Sequence, residues 1–255
     1  MRVGGIIDIS TKDIPNKSSM VIFTVGCNLK CGFCHNKFLL NKEVGRNWEI
    51  DELLEQIRSN MLVSGVSISG GEPTLQKDLI DLCKEIKNLG KYISVDTNGT
   101  NPDTIGRILF YIDRVALDLK GPLKKSKLRK ITETDVNPDS IIETINIVND
   151  QKRIDFEIRT TYVEKIMEQK DIHKIISFLR KMDFKGNFVL QQYQYSEGVG
   201  EENKDKFQKP EHITLLNILK PYKELILPFN IYLRDEILGY SSIDKLFNVS
   251  LDDII

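Results

Sequence analysis

Three of the chain's four cysteines lie within eight residues, in GCNLKCGFCHN, as Cys27, Cys31 and Cys34 with the spacing C-x3-C-x2-C. Thiolates this close on one loop can all bond to one metal centre, and soft sulfur ligands select zinc, copper(I) or an iron-sulfur cluster. Three is the informative number. A structural zinc site is usually closed by four ligands, often as two separated pairs. His35 adjoins Cys34 and would have to fold back onto the same ion, while Cys83 sits at a core position of the helical segment DLCKEIKNL, where it reads as a small buried hydrophobe. A cubane held by three protein thiolates leaves one iron open to bind something else, which makes the incompleteness useful. A non-catalytic zinc module is the plainer alternative.

Two further groups of polar residues stand where strands should end. SGGEP sets Gly70, Gly71 and Glu72 after a β-rich run, and paired glycines there permit positive φ and close approach of backbone to a ligand. DTNG, with Asp96, Thr97 and Asn98, and LDLK, with Asp118 and Lys120, follow the next two such runs. Each has a local reading as well: Asp96 and Asn98 could cap the helix that starts at Pro102 or shape a turn, and Lys120 could be solvated surface.

Positioning these groups requires a regular scaffold. Short β-rich runs at 20–25, 66–69, 92–96, 114–119, 156–163 and 187–192 alternate with helical periodicity at 50–60, 75–89, 102–111, 138–149, 171–182 and 211–222. Such alternation is what βα units on a parallel sheet produce. The expected fold is α/β, a partial (βα)6 barrel with a parallel sheet, whose ligands sit at the carboxyl ends of the strands, where the polar motifs fall. No Pro/Gly/Ser linker divides the 255 residues, so a single domain is expected, with a core over about 18–195 and a helical extension over about 205–255. The stretch 195–210, rich in Glu, Gly, Lys and Asn, reads as a mobile surface loop.

Composition narrows the function classes. With 36 basic and 37 acidic residues the net charge is -1, so a protein whose main task is neutralising nucleic-acid phosphates is disfavoured, although the basic stretch 120–130 could meet an acidic partner. No apolar run reaches the ~18 residues of a membrane span, and MRVGGIIDISTKD lacks the apolar core of a signal peptide. A cytoplasmic protein is expected, with no membrane or nucleic-acid partner, in a compartment that keeps thiols reduced and available as ligands.

With its C-x3-C-x2-C loop after the first β-run, the chain resembles the radical S-adenosylmethionine enzymes. The resemblance implies that Cys27, Cys31 and Cys34 hold a 4Fe-4S cluster whose open iron chelates S-adenosyl-L-methionine, that Phe33 lies beside the adenine, and that Gly70, Gly71 and Glu72 meet the methionine amino end. Only Cys83 remains after these three cysteines, so one cluster is expected. DTNG followed by LDLK resembles the activating enzymes of glycyl-radical proteins. That likeness implies Asp96, Thr97 and Asn98 as cofactor-binding residues, with a monovalent cation as a further candidate, and Asp118 and Lys120 as candidate catalytic residues near the cofactor or the target peptide loop. Arg159, in FEIRTTYV, matches a cofactor-contacting strand residue of that subfamily.

The segment from Gly4 to Asn36 is similar to the start of the activating proteins of anaerobic ribonucleotide reductase. In LQQYQYSEG, Gln191, Gln192 and Tyr193 stand where relatives of pyruvate formate-lyase activase would carry a histidine. The implied partners are a glycyl-radical enzyme, above all anaerobic ribonucleoside-triphosphate reductase, and a flavodoxin or ferredoxin as electron donor. The alternative within the same family is turnover of a small molecule, as in deazapurine biosynthesis.

Overall fold

The computed structural model describes residues 1–248. In chain order the elements are β1 (Arg2–Ser10), β2 (Ser19–Thr24), β3 (Arg46–Asn47), α1 (Ile50–Ser59), β4 (Gly65–Gly70), α2 (Leu79–Asn88), β5 (Tyr92–Thr97), α3 (Pro102–Ile108), β6 (Arg114–Asp118), α4 (Lys125–Thr132), α5 (Pro138–Asn149), β7 (Asp155–Tyr162), α6 (Gln169–Lys181), β8 (Asn187–Gln192), α7 (His212–Leu219), β9 (Asn230–Asp235), β10 (Gly239–Ser242) and α8 (Ile243–Asn248). They gather into two units. The first comprises Met1–Lys30, Asn36–Leu117 and Val136–Phe156; the second comprises Cys31–His35, Asp118–Asp135 and the chain from Glu157 onward.

In the first unit β2, β4, β5 and β6 pair in parallel, β1 runs antiparallel to β2, and the short β3 pairs antiparallel with β1. Val66, Ile68, Ile93 and Val95 are fully buried, as expected of central parallel strands covered on both faces. Helix α1 opens with a reciprocal Glu49–Glu52 capping box and buries Leu53, Leu54 and Ile57 along one stripe. Helices α3 and α5 both begin Asn-Pro. The Asn101 and Asn137 side chains accept hydrogen bonds from the backbone N–H of Thr104 and Asp139, and proline follows where its missing N–H costs nothing.

In the second unit β7, β8 and β9 pair in parallel and β10 closes the order antiparallel to β9. Helix α6 is held at its start by Glu168 and Asp171, again as a capping box. Among the described residues no helix is long and apolar enough to cross a membrane.

All six expected β-runs are strands, and the expected helical segments hold α1, α2, α3, α5, α6 and α7. The scaffold is larger than six βα units, because β9 is a seventh parallel strand and β1, β3 and β10 are antiparallel additions. The stretch expected as a helical extension therefore contains strands as well as α7 and α8, and its last residues, after 248, lie outside the described ones. In NIYLRD the buried Ile231, Leu233 and Asp235 alternate with half-buried Tyr232 and Arg234, the period-two pattern of a strand. The stretch 195–210 also departs from expectation. It forms short 3-10 turns at Glu197–Val199 and Glu201–Asn203, with Val199 and Asn203 buried, so apolar contact and an Asn203-to-Val199 carbonyl hydrogen bond of 3.1 Å fix it.

Candidate active site

In the first unit, the carboxyl ends of β2, β4 and β5 are stitched together by backbone and by one carboxylate. The β4 turn folds back on the chain leaving β2: the Gly71 N–H donates to the Thr24 carbonyl and the Glu72 N–H to the Gly26 carbonyl, both at 2.8 Å. A Cβ on Gly70, which has φ +110°, would lie 2.3 Å from the Thr24 nitrogen, and one on Gly71 would lie 2.0 Å from the Gly26 oxygen. Both glycines are thus demanded by contact with the backbone that leads into Cys27, a steric reason that holds before any ligand is considered.

Glu72 is 1% exposed. One carboxylate oxygen accepts from the Thr74 N–H at 3.1 Å, the Thr74 hydroxyl at 2.6 Å and the Thr97 hydroxyl at 2.8 Å; the other accepts from the Asn98 N–H at 2.7 Å. Burial raises its pKa and these four donors oppose the rise. The side chain therefore ties SGGEP to DTNG instead of projecting free. Thr97 spends its hydroxyl on the same carboxylate. Asp96 is buried with an oxygen 3.9 Å from the Arg114 guanidinium, which donates to the Ser94 hydroxyl at 2.7 Å.

Asn98 reaches the cysteine loop. Its amide nitrogen donates to the Asn28 side-chain oxygen at 2.9 Å and lies 3.9 Å from the Cys27 sulfur, which also receives the Leu29 N–H at 3.4 Å. The Asn98 oxygen accepts from Thr100, whose hydroxyl in turn takes a hydrogen bond from Asn28. Asn28, lying between cysteines, and Gln76, which donates to the Val25 carbonyl at 2.8 Å, carried no sequence signal because amides in loops are common.

In the second unit, Cys31 and Cys34 close a tight turn in which the Cys34 N–H donates to the Cys31 carbonyl at 3.1 Å. Phe33, between them, is buried edge-on against Tyr193 and Phe207, with ring centroids 6.4 and 6.2 Å away. Tyr193 also lies 5.6 Å from the His35 ring. Burial lowers the His35 pKa, a hydrogen bond to the Gln194 backbone opposes this, and the Lys120 charge adds to the lowering. Phe207 comes from the stretch expected as a mobile loop.

Asp118, Lys120 and Arg159 do meet. Arg159 Nε donates to Asp118 Oδ1 at 2.9 Å, and Lys120 Nζ lies 3.3 Å from Asp118 Oδ2. Burial would raise the Asp118 pKa, but the two cations overcome it and hold the group at about 2. For Lys120, burial would lower the pKa, and the Asp118 carboxylate with the Cys31 and Cys34 sulfurs carries it upward instead. Glu157 approaches Arg159 at 4.0 Å and accepts from the Tyr240 hydroxyl at 3.0 Å; neither residue stood out in the sequence.

Among the described residues no group of three or more His, Cys, Asp or Glu side chains is gathered as a metal site, so the fit of a cofactor rests on the chemistry of the donors. None of the four cysteines is joined in a disulfide. Cys83 is buried on α2 and burial pushes its thiol up to about 12, while the other three soft donors share one loop. That set suits an iron-sulfur cluster with one iron left open. A radical SAM superfamily profile matches residues 21–179. The chain belongs to the radical SAM superfamily.

It is 35% identical over 230 residues to a Methanocaldococcus jannaschii protein named as a candidate glycyl-radical enzyme activating enzyme, over 88% of this chain and 92% of that one. It is 34% identical over 128 residues to the pyruvate formate-lyase-activating enzyme of Clostridium pasteurianum, over 47% of this chain and 52% of the relative. Among solved structures, Streptococcus suis SuiB bound to S-adenosylmethionine matches with a TM-score of 0.66 at 24% identity, over 84% of this chain and 50% of that one. The chain spans about half the length of SuiB, and the likeness is one of fold. As a radical SAM enzyme, the protein belongs to a superfamily that works with a 4Fe-4S cluster and S-adenosylmethionine.

Two outcomes test this geometry. In Glu72→Gln the amide can accept at only one of its two ends, so the backbone N–H of Thr74 or of Asn98 must face an NH2 group. A loss of about 1–3 kcal/mol is expected, read as a lower urea midpoint. For Asp118, the depressed pKa means that its ion pairing contributes stability above the ordinary value of 3.8 and loses it as pH falls toward about 2. Arg159→Gln should move the Asp118 titration upward in a carboxyl carbon-13 titration; an unmoved midpoint would show that Arg159 is not its main partner.

Proposed function

We propose that this radical SAM enzyme activates a partner glycyl-radical enzyme, anaerobic ribonucleoside-triphosphate reductase being the favoured one. It would cleave S-adenosylmethionine reductively and remove a hydrogen atom from a glycine Cα of the partner. The observation that carries this reading is that the match to a relative named for glycyl-radical enzyme activation runs nearly the length of both chains. When bound, the cluster and S-adenosylmethionine would together supply the one-electron reductive cleavage and the hydrogen-abstracting chemistry, with Cys27, Cys31 and Cys34 as the residues that would hold the cluster.

The chain's own residues bind and orient. Cys27, Cys31 and Cys34 hold the cluster as three thiolates, and Asn98 with Asn28 steadies the start of their loop. Gly70, Gly71 and the backbone they bring close form the seat for the methionine amino end, with Glu72 and Thr97 acting as its brace. Asp96 supports that seat through its pairing with Arg114. Phe33 offers its ring to the adenine while Tyr193 and Phe207 fix its plane. Lys120 and Arg159 share Asp118 while Glu157 flanks Arg159, so the half-buried Lys120 ammonium is the donor offered to the cofactor's carboxylate or to the partner's peptide loop. A flavodoxin or ferredoxin supplies the electron.

The test is anaerobic electron paramagnetic resonance on reconstituted, reduced protein with S-adenosylmethionine and an anaerobic ribonucleotide reductase, with 5'-deoxyadenosine measured in the same sample. A glycyl-type doublet on the partner is expected, and alanine at Cys27, Cys31 or Cys34 should reduce both signals to background. Cofactor cleavage with no doublet on any glycyl-radical partner would overturn the assignment in favour of a small-molecule substrate. Lys120→Ala should retain iron and lower kcat/KM for S-adenosylmethionine by roughly 10- to 100-fold, the worth of a hydrogen bond to a charged group; loss of iron would instead mark a structural role.

A further inference from the structure

From Lys120 to Thr132 the sequence KGPLKKSKLRKIT carries six basic residues and no acidic one, in a chain whose net charge is -1. Most of this stretch is α4, which buries Leu128, Ile131 and Thr132. Lys124, Lys125, Arg129 and Lys130 are exposed. Lys127 is committed to Asp171 at 2.9 Å and Glu168 at 3.5 Å, and Arg129 lies 3.6 Å from Asp135. No ion pair among the described residues engages Lys124, Lys125 or Lys130. Lys125 and Arg129 are four apart on the exposed face with Lys130 beside them, and like charges at that spacing disfavour a helix by a few tenths of a kcal/mol. The fold alone gives no reason to accumulate this charge.

Its location supplies one. Within the second unit, α4 ends at Glu133, a residue in the left-handed region at φ +52°, and a Cβ on Gly32 would lie 2.7 Å from the Glu133 carboxylate. The helix thus terminates directly against the turn that carries Cys31 and Cys34. At the other end of the basic stretch, Lys120 feels the sulfurs of those same two cysteines.

We propose that the exposed face of α4, through Lys124, Lys125 and Lys130, is the docking surface for an acidic low-potential electron-carrier protein of the flavodoxin or ferredoxin type. The inference rests on the reading that the cysteine loop holds the cluster. Charge complementarity selects the occupant: a strongly acidic carrier is steered to a basic face, and an electron donor has to dock close to the cysteine turn that Glu133 meets. One electron leaves the carrier's reduced flavin or iron-sulfur centre and one enters the cluster, with no bond of the chain made or broken.

The experiment compares wild type with the triple reversal Lys124→Glu, Lys125→Glu and Lys130→Glu, and with a control reversal at the exposed Lys84 on α2. Carrier affinity is read from flavin fluorescence of an acidic flavodoxin at low and high salt; 5'-deoxyadenosine formation is driven once by that flavodoxin and once by dithionite. The triple variant should bind the flavodoxin at least roughly ten-fold more weakly at low salt and lose the salt dependence that wild type displays. Its dithionite-driven cleavage should equal wild type, and the Lys84→Glu control should match wild type in carrier affinity, salt dependence and dithionite-driven cleavage. Unchanged carrier affinity overturns the proposal. So does a variant that binds flavodoxin normally but fails to bind the glycyl-radical partner, which would assign the face to the substrate protein, and so does loss of dithionite-driven cleavage. A wild-type protein that never cleaves S-adenosylmethionine with dithionite would instead overturn the functional reading.

Discussion

A carboxylate buried as deeply as Glu72 is tolerable only if its oxygens are met by donors, because an unpaired charge in the interior costs several kcal/mol or more. Its four donors come from the turn after β4 and from the end of β5, so satisfying one side chain fixes two loops at once. From there the order spreads. Asn98, whose backbone N–H is one of those donors, uses its side chain to hold Asn28 and to approach Cys27. The first cysteine of the motif is thereby positioned by a residue seventy-one places later in the chain.

The second unit solves a different problem, that of keeping cations in a partly enclosed place. Asp118 bridges Arg159 and Lys120, and the charge of Lys120 is further supported by the sulfurs of Cys31 and Cys34. Deprotonated sulfur is the form that binds a metal. The aromatic trio of Phe33, Tyr193 and Phe207 covers the same turn with edge-to-face contacts, the preferred geometry for such rings. Close approach matters as well. Gly32 meets Glu133 and Phe207, and Gly198 meets the His35 carbonyl, at distances where a Cβ would collide.

The glycines of SGGEP illustrate how a motif can carry more than one demand. Backbone-to-backbone contact with Thr24 and Gly26 already excludes any side chain at Gly70 and Gly71. A ligand seated on that backbone adds a second requirement to a position that sterics have emptied.

Period-two and 3.6-residue patterns were readable along the chain because each buried strand or helix face must be apolar at its own spacing, and all six main β-runs are strands. The spacing of Cys27, Cys31 and Cys34 was equally plain, since ligands on one short loop announce themselves locally. β9 was not legible: with polar ends and only two buried aliphatic side chains, its six residues fell inside the expected helical extension, and only β8 lying alongside makes them a strand. Nor was the anchoring of 195–210, whose polar composition conceals that Val199 is buried and that Phe207 packs against Phe33 and Tyr193. Sequence named Glu72, Asp96, Thr97 and Asn98 as site residues without revealing that Glu72 takes hydrogen bonds from Thr74, Thr97 and Asn98 or that Asp96 faces Arg114. Local chemistry is written in residue types and spacing, whereas a hydrogen bond or ion pair between residues tens of positions apart exists only once folding has chosen which strand ends meet.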